Sequence, residues 1–341
     1  MDILEKRSPP PLTDSTITAE LDIPQFHHAA GITTSKPKFT SPKSASPEFG
    51  FGLTQKEAKS GWISLFDGKT AFGWSDAKVQ GDRLIGGTTT TTFGNYELRA
   101  DIVNGGTITL GSHSIKVTAG MLNRRVVGSG RGPIRLGMDV AVRKLVIRPL
   151  ELKSVFNGKN FSGWKVLDHP RRRAKVKWIV EGSGIRAVGG PGALELQQHY
   201  GDLVLQIDVR TIAPLANGGV FFRCIPGDFM NGYEAQVFNA CYDADPGKPA
   251  RYSTGGIDDR QLARRLVSRD GKTFTMTVIA VGPHIATWVN GYQLTDWTDT
   301  RKKHDNPRQG LRTKSGTIQL QAHDPKTAVE FSNIRVGAVT K

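Results

Sequence analysis

Alternation with a period of two residues runs through the C-terminal half of this chain and constrains its fold more than any other feature. Leu203, Leu205, Ile207 and Val209 oppose Val204, Gln206, Asp208 and Arg210, while Phe274, Met276 and Val278 oppose Thr275, Thr277 and Ile279. Side chains that alternate in this way belong to strands with one face turned to a core. Similar segments at Gly219–Cys224, Tyr233–Phe238, Ile285–Val289, Thr317–Ala322 and Val329–Val336 are separated by Gly, Pro and Asn/Asp turns such as Asn290-Gly291. Helical periodicity is scarce, and Asp259–Val267 is the one segment that reads as a short helix. Many antiparallel strands joined by short turns predict an all-β chain of two-sheet sandwiches or jelly rolls.

A repeat sets the domain map. Phe66-Asp67-Gly68-Lys69-Thr70-Ala71-Phe72-Gly73-Trp74 returns as Phe156-Asn157-Gly158-Lys159-Asn160-Phe161-Ser162-Gly163-Trp164. The Asp/Asn-Gly pair makes a tight turn and the aromatics anchor it, so both copies read as structural. With 341 residues and roughly 100–200 per domain, two units are expected, at 57–150 and 151–341. Residues 1–56 mix Pro9-Pro10-Pro11 with Ser/Thr-rich text and Ser41-Pro42-Lys43-Ser44-Ala45-Ser46-Pro47. They read as a disordered leader or linker.

Composition excludes several classes. The net charge of +15 comes from 46 Lys+Arg against 31 Asp+Glu, which makes an anionic partner a hypothesis to weigh. The excess is spread over both units, while residues 1–60 are neutral; nucleic-acid binders tend to gather it in one tail or helix, so nucleic acid is not the expected partner. Two short clusters remain, Arg171–Arg173 and Arg301–Lys303, each readable as an anion site or a solvated loop. No stretch approaches the ~18 apolar residues of a membrane span. No apolar segment follows Met1–Lys6, so no export signal is read. Cys224 and Cys241 match no zinc spacing and do not decide the redox compartment.

Chemistry-bearing residues come from the strands. In Gly232-Tyr233-Glu234-Ala235-Gln236-Val237-Phe238 alternation places Glu234 and Gln236 side by side, opposite Tyr233, Ala235 and Val237. In Gly316–His323 it places Gln319, Gln321 and His323 together. If the two rows share a sheet face, they offer the paired donors and acceptors that sugar hydroxyls need. Glu234 and His323 have ordinary pKa values of ~4.3 and ~6.5, within range for acid–base work; the same pattern also fits a solvated face. In Asn217-Gly218-Gly219-Val220-Phe221-Phe222-Arg223 the glycines permit close approach to the backbone. Arg223, on the Phe221 side, is expected either to orient a substrate oxygen or to pair with Glu234. The loop Asn239–Ile257 is long for a hairpin, and long loops often carry function. Trp288 reads as core, whereas Trp297, in Thr295-Asp296-Trp297-Thr298-Asp299, is the candidate for stacking on a sugar.

Taken in order, Phe156-Asn157-Gly158-Lys159 with Gly163-Trp164, Asn217–Arg223, Gly232–Gln236, Trp288-Val289-Asn290-Gly291, Gly316–Asp324 and Phe331-Ser332-Asn333-Ile334-Arg335 resemble the family once named DUF1080, now the 3-keto-disaccharide hydrolase domain. The resemblance covers about Leu152–Ala338. It implies a concanavalin A-like (LamG-like) jelly roll, and hence two β-sandwich units in tandem. Residues 57–150 resemble only the family's opening, at Gly61–Lys69, and loosely its closing strand, which implies a shortened, non-catalytic copy. Family members often read Asn-Ser-Gly where this chain has Asn217-Gly218-Gly219, and Asp-Gly-Lys where it has Asn157-Gly158-Lys159. The activity implied is cleavage of glycosides already oxidised to a ketone at C3. By resemblance, Glu234 is base or metal-binding carboxylate, His323 is proton donor or ligand, and Asn217, Arg223, Gln236 and Gln321 orient substrate. No cofactor is identified, and no ligand spacing encodes the divalent cation that a ketone oxygen would accept. The alternatives are a carbohydrate-binding module of the same fold and attachment to polyanions. The family is usually exported in bacteria, which this N-terminus does not match; localisation and oligomeric state stay open.

Overall fold

The turn that opens each unit is built the same way twice. Asp67 Oδ1 accepts from the backbone N–H groups of Lys69 (2.8 Å) and Thr70 (2.6 Å), and Asn157 Oδ1 from those of Lys159 (2.8 Å) and Asn160 (2.9 Å). Gly68 and Gly158 take φ of +78° and +72°, a region glycine enters without steric cost. Trp74 Nε1 donates to Leu65 O at 2.6 Å, and Trp164 Nε1 to Val155 O at 3.0 Å. The repeat is thus an Asx turn with a tryptophan tied back to the chain that precedes it, which is a structural role. The structure, a computed structural model, describes residues 39–42, 47–128 and 131–339.

Three antiparallel sheets account for the strands of the described residues. The first unit forms one nine-stranded sheet around the long strand Ile134–Pro149, which pairs with Arg83–Thr89, Tyr96–Asn104 and Gly106–Leu110. The second unit contains an eight-stranded sheet and a five-stranded sheet. Alternation decides which side chains meet. Leu203, Leu205, Ile207, Val209, Met276 and Val278 of the eight-stranded sheet share a core with Leu194, Val220, Phe222, Ala235, Ile318 and Leu320 of the five-stranded sheet. Val204, Ile279, Ala286 and Trp288 leave the opposite face of the eight-stranded sheet and join the core of the first unit, beside Leu65, Leu98, Val142 and Ile147. The eight-stranded sheet is therefore the middle of three layers, and the two tandem units share it.

Shared burial explains residues that read as solvent-facing in sequence. Gln206 is 1% exposed and donates to Gly61 O at 2.8 Å. Asp208 accepts from Thr275 Oγ1 and Asn333 Nδ2, both at 2.6 Å. These polar groups lie on the covered face and are satisfied there, as buried polar groups must be. Trp288 sits in the core as expected and donates Nε1 to Ser64 O at 3.0 Å. Asp67, the residue that differs from its counterpart Asn157, pairs with Arg264 of the second unit at 2.6 Å.

Two expectations need correction. Asp259–Val267 contains no helix, because Ile257 and Gln261 close a tight turn by a backbone bridge; the helix among the described residues is Gln55–Lys59, capped by Thr54 and Glu57. The segment read as a leader is docked in part. Phe39 packs with Phe238 and Tyr242, Thr40 bridges Cys241, and Glu48 accepts from Nε and Nη2 of Arg265, each at 2.7 Å. The remainder of that leader lies outside the described residues. No helix among the described residues is long and apolar enough to cross a membrane.

Candidate functional site

The five-stranded sheet runs in the order Trp164–Asp168, Gly192–Tyr200, Gly316–Ala322, Gly218–Cys224, Tyr233–Val237. Its register aligns the outward side chains in rows. Glu195, Gln319, Phe221 and Glu234 form one row, and Ala193, Gln321, Gly219 and Gln236 form the next. The two polar stretches read from sequence therefore lie on one face.

Glu234 is buried beneath the loops that follow these strands. Its Oε2 accepts from Arg308 Nη2 at 2.8 Å, and the other terminal nitrogen of that guanidinium bonds Asp258. Arg308 lies over the Phe221 ring, 5.1 Å from its centroid. Burial pushes the Glu234 carboxyl up to about 8. Arg308 pulls it down, but Asp258 shares that cation and opposes a second negative charge beside it. The loop carrying Arg308 is held by Tyr233, whose hydroxyl donates to Asp299 at 2.7 Å and accepts from Arg312 N at 2.9 Å.

The other carboxylate oxygen, Glu234 Oε1, hangs over Gly219. A Cβ at that glycine would collide with it and would come within 3.1 Å of Gln321 Oε1. Gln321 Oε1, Gln236 Oε1 and Asn217 Oδ1 are all buried without a hydrogen-bond partner among the described residues. Gln236 is oriented by Asp258, to which its nitrogen donates at 3.3 Å, while the Gln321 nitrogen meets only Met230 Sδ at 3.5 Å. Side-chain oxygens without donors thus gather on the Gly219 face, where buried acceptors ordinarily have partners.

Glu195 is the second carboxylate of the face and is fully engaged. It accepts from Gly227 N (3.0 Å), Thr317 Oγ1 (2.7 Å) and Gln319 Nε2 (3.1 Å). It pins the 225–232 loop, and three strand spacings separate it from Glu234, roughly 14 Å between backbones. Among the described residues no group of three or more His, Cys, Asp or Glu is placed to hold a metal ion.

Glu234, Gln236 and Gln321 come together on one face, and Asn217, which the resemblance adds to the set, lies next to them, one residue before the Gly218–Cys224 strand. His323 does not join them closely. It follows the Gly316–Ala322 strand, its side chain is 47% exposed, and its Nδ1 lies 3.3 Å from Asp324. Its N–H approaches Asn217 O at 3.3 Å, which sets it two rows and two strands from Glu234, roughly 16 Å away by strand geometry.

Arg223 and Trp297 are corrections. A bulge between Phe221 and Cys224 inserts one residue, and Arg223 takes φ of +51°. That extra residue turns its side chain away from the Glu234 face. Arg223 is 0% exposed and bonds Gly201 O (2.9 Å), Gly282 O (2.7 Å) and Asp202 (3.0 Å), so it pairs with Asp202 and not with Glu234. Trp297 belongs to the eight-stranded sheet and meets the ring of Tyr233 edge-on at 6.1 Å, on the core side of that strand. It does not reach the polar face.

No period or motif in the sequence points to Arg308 and Asp258. Arg308 lies in a loop with no periodic signal. Asp258 closes the long loop flagged from sequence, whose end returns beside the Glu234 strand through Gly255 N to Gln236 O and Asp258 N to Glu234 O, both at 3.0 Å.

The family model of the 3-keto-alpha-glucoside-1,2-lyase-like domain matches residues 151–337. No curated protein matches. Among solved structures, a candidate glycosyl hydrolase from Parabacteroides distasonis is 20% identical, covering 54% of this chain and 92% of its own, with a TM-score of 0.43. The carbohydrate-binding module CBM66 from Bacillus subtilis is 14% identical, covering 52% and 96%, at 0.36. A Bacillus subtilis protein with a galectin-like fold is 9% identical, covering 56% and 96%, at 0.38. The matched segment spans more than half of the chain and takes in all five strands of the site sheet, and the chain belongs to the 3-keto-alpha-glucoside-1,2-lyase-like domain family.

Proposed function

We propose that the protein cleaves glycosides oxidised to a ketone at C3, and that Glu234 removes the C2 proton. The supporting observation is the buried, donor-poor set of oxygens over Gly219: Glu234 Oε1 with the free amide oxygens of Gln321, Gln236 and Asn217. Sugar hydroxyls are the donors such a set lacks. A C3 carbonyl acidifies the C2 proton, so a carboxylate with a raised pKa is matched to its abstraction. The proton passes to Glu234 Oε1, the electron pair forms the enolate, and the C1–oxygen bond breaks as the aglycone leaves with a proton. Water then adds across C1 and C2 and gives the free 3-keto sugar. Arg308 holds Oε2, which leaves Oε1 directed at the substrate space.

His323 stands too far from Glu234 to exchange a proton with it directly, and for the same reason too far from the C1 oxygen beside C2 to protonate it; in this reading it contacts the far end of the ligand, and the aglycone takes its proton from water. Asn217, Gln236 and Gln321 orient hydroxyls, a role that does not extend to Arg223 or Trp297. The gathered oxygens are also of the kind a hard divalent cation takes, so chelator sensitivity belongs in the test. The assay is release of aglycone from a panel of 3-keto-glycosides, with and without chelator, by wild type and Glu234→Gln. Release that Glu234→Gln abolishes is expected. Release that survives the substitution would remove Glu234 from the role, and binding without release by the wild type would reduce the protein to a carbohydrate-binding module.

A further inference from the structure

The strand Trp164–Asp168 is one edge of the site sheet, with Lys165 in register with Glu195. The loop leaving it carries Arg171, Arg172 and Arg173, all exposed and, among the described residues, none in an ion pair. The acid next to them, Asp168, is taken by Lys175 at 3.0 Å. This loop stands at the rim of the polar face. The His169 ring meets Phe229 at 5.1 Å, and the next residue, Met230, donates its N–H to Gln319 Oε1 at 2.9 Å and accepts from Gln321 Nε2 through sulfur.

The opposite rim is also cationic. Among the described residues Arg260 bonds carbonyls alone, Arg308 O at 2.8 Å and Asp259 O at 3.1 Å. Within the face, Glu195 is saturated and Arg308 stands between Glu234 and Asp258. Asp228, next to Phe229 in the chain, has no side-chain partner among the described residues. A polar face framed by unneutralised cations focuses anions toward it.

We infer that the glycoside taken by this site carries a negative charge, a carboxylate or a sulfate, on the part of the molecule that lies over Arg171–Arg173. The inference rests on the function proposed above and names its substrate class. The charge is held away from C1, C2 and C3, where the proton transfer occurs. Guanidinium groups suit both anions, since each offers a fork of donors.

The test compares three 3-keto-glycosides with one aglycone, neutral, uronate and sulfate ester, against wild type and the R171S/R172S/R173S variant at low and high salt. The ratio of kcat/KM for an anionic over the neutral compound is expected to be roughly tenfold or more at low salt. It should fall toward one in the variant and in salt concentrated enough to bring the Debye length well below ~10 Å. The uronate and sulfate arms show which anion is preferred. A ratio near one in the wild type, or one that the variant leaves unchanged, overturns the inference. If no compound is cleaved, the functional proposal fails, and calorimetric titration with the unoxidised uronate, sulfated and neutral glycosides still decides this point. Salt-sensitive binding of an anionic glycoside that the variant loses supports it, and equal or absent binding overturns it.

Discussion

Replacing Glu234 with Gln should make the protein more stable at neutral pH while it abolishes turnover. The carboxyl is buried and pushed up to about 8 from 4.5, so between those values the folded chain holds a proton that the unfolded chain has released. Stability linked to this group is fully present below pH 4.5 and is lost as pH rises toward 8. At pH 7 the span above 4.5 is worth up to about 3 kcal/mol at 1.36 kcal/mol per pH unit. A Gln at 234 does not titrate, its carbonyl can still accept from Arg308, and the Arg308–Asp258 pair is left electrically balanced. Urea unfolding of both proteins at pH 4.5 and pH 7 checks this. The variant should match the wild type at the lower pH and exceed it by up to about 3 kcal/mol at the higher. If the variant is weaker by the same amount at both, Glu234 is ionised in the native state and its bond to Arg308 is net stabilising. Stability gained with activity lost is the pattern of a strained functional site.

The same titration predicts that kcat/KM for aglycone release climbs with pH and levels off near 8, since the base acts ionised; a flat profile from pH 6 to 9 would count against Glu234. Trp288 is wholly buried between the middle sheet and the first unit, so Trp288→Ala should cost about 3–5 kcal/mol. Calorimetry should show both units melting together at a lower temperature, and a first unit that melts separately would contradict the shared layer. In Gly219→Ala the new methyl meets side-chain ends, Glu234 Oε1 and Gln321 Oε1, so stability should fall by about 1–2 kcal/mol while turnover is lost. Unfolding curves and aglycone release on one preparation separate the two effects, and retained turnover would show that the space over Gly219 is not used.

Much of the fold was legible because strand alternation is a property of the backbone itself. Leu203 to Val209 faced a core before any partner sheet was known. Glu234 sits beside Gln236, and Gln319 beside Gln321, for the same reason, but that the two rows share one sheet face comes from the strand register alone. The rule failed where the backbone leaves its period. Arg223 lies in a bulge, and one inserted residue reverses the direction of everything at that point. Trp297 was misplaced because alternation says which face a residue takes within its strand, not which sheet the strand joins.

What the residues alone determine is local: an all-β chain, two copies of one Asx turn with its tryptophan, and a short row of acid and amide side chains on a strand. Only tertiary structure made Gln206 and Asp208 interior residues, by laying the first unit over the middle sheet, and only it brought Arg308 and Asp258 against Glu234 from loops 74 and 24 positions away along the chain. The reason is physical. Alternation is set by neighbours two residues apart, whereas burial and charge pairing depend on contacts across long loops, whose closure leaves no period in the sequence.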